Sequence, residues 1–104
     1  MTLQEIENYY GNDSYSYIFE ALSIIEDTFD FYINCISDKK YLNISGKSEY
    51  GDILYIKNTL LGDYTFIVSF KDNKGINNEE KVFKNEIETY KYIQNLFGVQ
   101  ISNG

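Results

Sequence analysis

The sequence predicts an α+β domain in which an antiparallel four- or five-stranded sheet is packed on one face by N-terminal and C-terminal helices, giving two layers. Apolar residues recur every three or four positions near both ends of the chain and every second position in its middle. At the centre, two runs rich in β-branched and aromatic residues flank a short turn. No change of composition divides the 104 residues, so we expect one domain over residues 1–104.

The central hairpin, residues 52–71, organises the prediction. The alternating apolar residues of its two strands face the same side if the loop has three or five residues. A two-residue loop would instead place Lys57 opposite Val68. We therefore predict an odd loop in which Gly62 or Asp63 adopts a positive φ. The sets are Leu54, Ile56 and Leu60 on the first strand and Tyr64, Phe66, Val68 and Phe70 on the second.

Two helices precede the sheet. Thr2 and Glu5 form a capping-box pattern, which predicts a helix over residues 3–10 that ends at Gly11. Apolar residues at helical spacing then predict a second helix from Tyr15 to about Asp27, preceded by two N-cap candidates in Asn12-Asp13-Ser14. The apolar positions are Ile18, Ala21, Leu22 and Ile25.

The period changes to two after the second helix. Phe29, Phe31, Ile33 and Cys35 alternate with polar or solvent-facing positions, which predicts a strand with a buried thiol. The alternative extends the helix through Phe31 and removes this strand. Residues 41–47 predict a return strand with Leu42 and Ile44 on one face.

The chain ends with a fifth strand and a helix. Residues 80–84 predict a short strand that faces inward through Val82, or through Phe83 in the other register. Asn85 is the predicted N-cap of the last helix, with Glu88 at N3 and Gly98 at C′. Its predicted apolar stripe is Ile87, Tyr90, Ile93 and Phe97.

Composition argues against familiar catalytic sites. The chain has no His and no Arg, which excludes a Ser-His-Asp triad, an ordinary zinc site and a bidentate guanidinium clamp. Cys35 is the single cysteine, so no internal disulfide forms and a reducing compartment is natural. We expect a protein that is not an enzyme, with no catalytic residues, no metal and no cofactor.

Two partial motifs favour ordinary turns. Ser45-Gly46-Lys47-Ser48 ends like a phosphate-binding loop, but the leading glycine is replaced by Tyr41 and no helix follows. Asp72-Asn73-Lys74-Gly75 begins like a calcium loop, but a lysine stands at a ligand position and the spacing to the last glutamate fails.

The N-terminus lacks the basic and apolar regions of a signal peptide, and no apolar run is long enough to span a membrane. We therefore expect a cytoplasmic protein with no membrane partner. The composition, rich in Asn, Ile, Lys and Tyr, is typical of an AT-rich genome and suggests a bacterial host cell or its phages.

Charge is the strongest functional signal. Residues 1–38 contain eight carboxylates and no lysine, whereas residues 39–104 contain nine lysines and eight carboxylates. Tyrosines are interleaved with these acids, and tyrosine suits protein interfaces. We predict a partner-binding surface, with a solvated acidic helix face as the alternative. Its residues are Glu5, Glu7, Tyr9, Tyr10, Asp13, Tyr17, Glu20, Glu26, Asp27 and Asp30.

Direct nucleic-acid binding is disfavoured, because the chain is acidic and its lysines are dispersed among acids. The leading hypothesis is a non-enzymatic inhibitor that occupies a basic surface of a partner protein. If that surface belongs to a nucleic-acid-binding effector, the carboxylates would stand in for phosphates.

In size, acidity and composition the chain resembles phage-encoded inhibitors of host defence, including anti-CRISPR proteins. This resemblance would imply counter-defence but assigns no residue a role. The alternatives are an immunity protein that neutralises a bacterial toxin, and a small enzyme with a carboxylate or tyrosine site. The oligomeric state is left open.

Overall fold

The computed structural model describes residues 2–11, 13–36, 41–61, 63–76 and 78–98. It confirms the α+β class, with a five-stranded antiparallel sheet in the order β1-β2-β3-β4-β5 and helices from both ends of the chain. The elements are α1 (Leu3–Tyr10), α2 (Ser16–Ser23), β1 (Phe29–Ile33), β2 (Asn43–Ser48), β3 (Ile53–Leu61), β4 (Asp63–Lys71), β5 (Asn78–Phe83) and α3 (Glu86–Ile93), which continues as a π-helical turn over Gln94–Gly98.

Helix α1 forms as predicted. The Thr2 hydroxyl accepts a hydrogen bond from the Glu5 backbone N–H at 3.1 Å, and the Glu5 carboxylate accepts one from the Thr2 N–H at 2.9 Å. Gly11 ends the helix with a φ of 102°, a conformation that favours glycine. The buried face of α1 holds Leu3, Ile6 and Tyr10.

Helix α2 is shorter than predicted. It ends at Ser23, and turns occupy residues 24–28 before β1 begins. The prediction of an Asp13 or Ser14 N-cap is wrong, because Tyr15 holds that position without a side-chain hydrogen bond. Asn12 lies outside the described residues. The apolar stripe is correct, since Ile18, Ala21, Leu22 and Ile25 are all buried.

Strand β1 begins at Phe29, so the alternative of a helix through Phe31 is wrong. The strand ends at Ile33, however, and Cys35 lies beyond it as a half-buried residue rather than a core thiol. Strand β2 begins at Asn43 rather than Tyr41, and Leu42 and Ile44 are both buried as predicted.

The β3–β4 register confirms the odd loop. Leu54 pairs with Phe70 and Ile56 with Val68, so these predicted apolar residues share one face, and Leu60 pairs with Tyr64 in the same register. Described residues other than glycine show no positive φ, which argues against that role for Asp63. Gly62 lies outside the described residues.

Strand β5 uses the second of the two predicted registers. Val82 is exposed, whereas Phe83 packs against the core beside Tyr92, with ring centroids 5.2 Å apart. Helix α3 is capped by Asn85, whose side chain accepts from the Glu88 N–H at 2.8 Å. The stripe prediction is wrong at Ile87, which is exposed, because Thr89 and Ile93 occupy the buried face instead.

The two partial motifs form neither a phosphate-binding loop nor a calcium-binding loop. The residues Ser45-Gly46-Lys47-Ser48 lie within β2, where the Phe31 ring covers Gly46. The Asp72 carboxylate accepts hydrogen bonds from the N–H groups of Lys74 and Ile76, which closes a turn. Both segments therefore have a structural explanation.

The core lies between the helices and the inner sheet face, which is formed by every second residue of the strands. A polar network is embedded in it at Asn58, which is 1% exposed. The Asn58 side chain accepts from the Tyr15 hydroxyl at 2.9 Å and donates to the Thr65 carbonyl at 3.0 Å. Among the described residues, no buried side-chain polar atom lacks a hydrogen-bond partner.

Candidate functional site

The net charge is concentrated in the segments that carry the helices. Residues 1–28 and 86–104 contain eight carboxylates and one lysine, whereas residues 29–85 contain eight of each. The helical segments therefore account for the whole formal charge of −7. We call the described residues within 2–28 and 86–98 the helical layer. Charge of one sign on one layer creates a field that attracts cationic surfaces.

Most of the predicted acidic residues are accessible on this layer. Glu7 is half-buried, and the others in the helical layer are exposed: Glu5, Asp13, Glu20, Glu26 and Asp27. Glu5 also serves the α1 cap, and its hydrogen bonds with Thr2 hold the pKa of its carboxyl below the ordinary value. It therefore stays charged while it caps the helix.

Two tyrosines of the predicted partner-binding surface contribute to packing within the fold. Tyr10 is only 6% exposed, so its assignment to the binding surface is corrected; its hydroxyl accepts from the Asn43 N–H at 3.2 Å. Tyr9 is half-buried, packs edge-on against Tyr10, and donates its hydroxyl to the Ile36 carbonyl. Leu3, Ile6 and Tyr10 recur at helical spacing, which predicts one buried face of α1 and is the signal that places Tyr10 in the core.

Tyr17 is exposed, as a residue of the predicted partner-binding surface must be. Its side chain is 45% exposed on α2, and its ring lies 5.8 Å from that of Tyr90 on α3. Tyr17 thus offers aromatic contact area beside the exposed Glu20 carboxylate on the same helix.

Asp30 lies on the edge strand β1 and not in the helical layer. It lies in β1 at a position that alternates with the buried Phe29 and Phe31, so it points to the opposite sheet face. There it pairs in register with Lys47. The predicted acidic set is therefore split between two faces of the domain.

Glu86 has a structural role, at the start of α2, that the sequence pattern does not predict. Its Oε2 accepts hydrogen bonds from the backbone N–H groups of Tyr17 at 3.0 Å and Ile18 at 3.2 Å. These are the N–H groups that an N-cap side chain would serve. A glutamate 69 positions away carries no local signal of this contact, although the uncapped start of α2 could have suggested a distant acceptor.

Surface cavities border both the helical layer and the sheet. One, of about 500 Å³, lies between Phe70 and Phe97. Another, of about 220 Å³, is lined by Glu26 and Asp30 where α1 begins beside β1. A third, of about 290 Å³, is lined by Cys35 and Lys57. Within the described ranges, no three His, Cys, Asp or Glu residues converge as metal ligands.

Among the described residues, no helix is long and apolar enough to cross a membrane. A comparison with known protein families finds no match, and neither curated proteins nor solved structures provide one.

Proposed function

We propose that this is a non-enzymatic binding protein that presents its acidic helical layer to a basic surface of a partner protein. The observation that carries the proposal is the concentration of the net charge in the helical layer, with Glu20, Glu26 and Asp27 exposed. Such a patch accelerates encounter with a cationic partner and favours one orientation.

The partner surface proposed is one that normally contacts nucleic acid, because such surfaces are the most strongly basic in proteins. Carboxylates on α2 and on the turn that follows would then occupy phosphate positions. A phage-type inhibitor of a defence effector is the biological role that fits this mode of action.

The structure refines which acids a test should change. Asp30 is excluded because it lies on the opposite sheet face, and Glu86 because it holds the start of α2. Glu20→Lys with Glu26→Lys reverses two exposed carboxylates of the helical layer. Glu49→Lys with Glu80→Lys changes the net charge equally, in a turn and on the edge strand β5.

The experiment is affinity capture of partner proteins from a bacterial lysate by the wild type and both double variants, followed by quantitative mass spectrometry. We expect one or more basic nucleic-acid-binding proteins to be retained by the wild type and by the Glu49/Glu80 variant, and to be lost from the Glu20/Glu26 variant. Equal loss from both double variants would show that total charge, and not the helical layer, governs binding.

A further inference from the structure

The outer sheet face, opposite the helices, carries a cationic platform around one tyrosine. Tyr55 on β3 pairs with Ser45 on β2 and with Ser69 on β4. Two residues further along each of these three strands on the same face stands a lysine. We define the aromatic platform as Tyr55 with Lys47, Lys57 and Lys71.

Carboxylates are absent from the positions that surround Tyr55. Its eight neighbours in the sheet register, on the outer face of strands β2, β3 and β4, include three lysines and no acid. The complete set is Asn43, Ser45, Lys47, Ile53, Lys57, Ile67, Ser69 and Lys71. Lys47 and Lys71 are diagonal neighbours of Tyr55, about 7–8 Å away, and Lys57 lies two positions along the same strand, so the three side chains are long enough to approach the ring.

A second tyrosine continues the row. Tyr32 on β1 pairs with Ser45 and is 48% exposed, so Ser45 lies between the two tyrosines in the register. Strand spacing places Tyr32 and Tyr55 about 10 Å apart. On the edge strands of this face, Asp30 pairs with Lys47, and Glu80 pairs with Ser69 and accepts a hydrogen bond from its hydroxyl at 3.4 Å.

We propose that the aromatic platform binds single-stranded nucleic acid without sequence preference. A nucleobase would stack on Tyr55, a second would stack on Tyr32, and the phosphates would contact the three lysines. Stacking on aromatic side chains combined with lysine contacts to the backbone is the general chemistry of single-strand binding.

The sheet register removes one reason for expecting no nucleic-acid binding, namely the dispersal of the lysines among acids. In the linear sequence, Lys47, Lys57 and Lys71 are separated by acids such as Asp52 and Asp63. Pairing of three strands brings the lysines together on one face, which linear spacing does not show. The net charge of −7 on the whole chain still opposes the approach of phosphates, so the binding is weak and sensitive to salt.

The first test measures the affinity for a fluorescein-labelled oligothymidylate of about 16 nucleotides by fluorescence anisotropy. Three phosphate contacts predict a decrease in affinity of roughly 20-fold between about 50 and 200 mM salt. Lys47→Gln, Lys57→Gln and Lys71→Gln are combined in one variant. Lys74→Gln, Lys81→Gln and Lys84→Gln form the matched control, because they change the net charge equally at exposed positions outside the platform.

We expect the platform variant to lose at least about tenfold in affinity at low salt, while the control variant stays within about threefold of the wild type. Tyr55→Thr should weaken binding, while Tyr50→Thr, in the β2–β3 turn, should not. Urea unfolding of each variant confirms that it is folded under the assay conditions.

Three results would overturn the proposal: no binding at about 20 mM salt, equal loss from the platform and control variants, or equal binding of an oligoglutamate peptide. The last would show that the platform takes an acidic protein segment. These lysine variants leave the helical layer unchanged, so the outcome is independent of the proposed function.

Discussion

The carboxylate of Glu86 accepts a hydrogen bond from the backbone N–H of Tyr17 at 3.0 Å, so the first residue of α3 caps the start of α2. The same oxygen accepts from Ile18 at 3.2 Å. Tyr15, the N-cap residue of α2, provides no such acceptor. Two helices from opposite ends of the chain are thereby joined through one side chain, and a negative charge lies at the positive end of the α2 dipole.

Removal of this cap should destabilise the fold. We expect Glu86→Ala to lower the free energy of unfolding by about 1–2 kcal/mol, the usual cost of losing an N-cap side chain. Glu88→Ala is the matched control, since Glu88 lies in the same first turn of α3 and is exposed. Urea unfolding followed by circular dichroism measures both. Equal effects of the two variants would contradict a capping role specific to Glu86.

The buried hydroxyl of Tyr15 should contribute more to the free energy of unfolding than an exposed tyrosine hydroxyl does. Tyr15→Phe removes the donor to Asn58 and the acceptor of the Leu42 N–H, both buried. We expect a loss of about 1–3 kcal/mol in the free energy of unfolding, because these groups are left without that partner. Tyr17→Phe, at an exposed position, should change it by less than about 0.5 kcal/mol. Similar values for the two variants would show that the network does not contribute to stability.

A larger residue at Gly46 should destabilise the fold while Phe31 is present. A Cβ at Gly46 would lie 2.5 Å from a ring carbon of Phe31, well inside van der Waals contact. We expect Gly46→Ala to cost about 1–3 kcal/mol of unfolding free energy. Adding Phe31→Leu to Gly46→Ala should recover part of that loss relative to Phe31→Leu alone. A thermal unfolding midpoint unchanged by Gly46→Ala would show that the ring moves without cost.

Tyr92 should make stability depend on pH in the alkaline range. Burial first, and then the charge and hydrogen bond of Glu79, raise the pKa of Tyr92 from 10.0 to about 12. The folded state thus favours the protonated phenol, and this stabilisation is complete below pH 10 and lost as pH rises toward about 12. Urea midpoints across that range should fall less for Tyr92→Phe than for the wild type. Parallel curves for the two proteins would contradict the raised pKa.

Local signals were sufficient to predict much of the fold. The capping box at Thr2 and Glu5, the α2 stripe and the hairpin register depend on near neighbours or on strict alternation, and all three are confirmed. The predictions that are wrong or left open concern features that tertiary packing determines. Ile87 is exposed because the buried face of α3 is set by the angle at which it packs, and the phase of β5 follows from pairing with β4.

The candidate surface was predictable only in part. The sequence shows that residues 1–38 are acidic, and its alternation around Asp30 and its helical spacing at Tyr10 already argue against placing these two residues on the acidic surface, as the structure confirms. The contact of Glu86 with α2 and the neighbours of Tyr55 join residues that are distant in the chain. Such relationships arise from topology, and no single segment of the sequence encodes them.

Binding through the helical layer is tested most directly by an NMR titration of the 12.2 kDa protein with an oligolysine peptide as a model of a basic surface. Charge on the helical layer predicts that amide shifts concentrate in α2 and residues 24–28, around Glu20, Glu26 and Asp27, and disappear in the Glu20/Glu26 variant. Shifts spread equally over the sheet, or unchanged in that variant, would contradict the account.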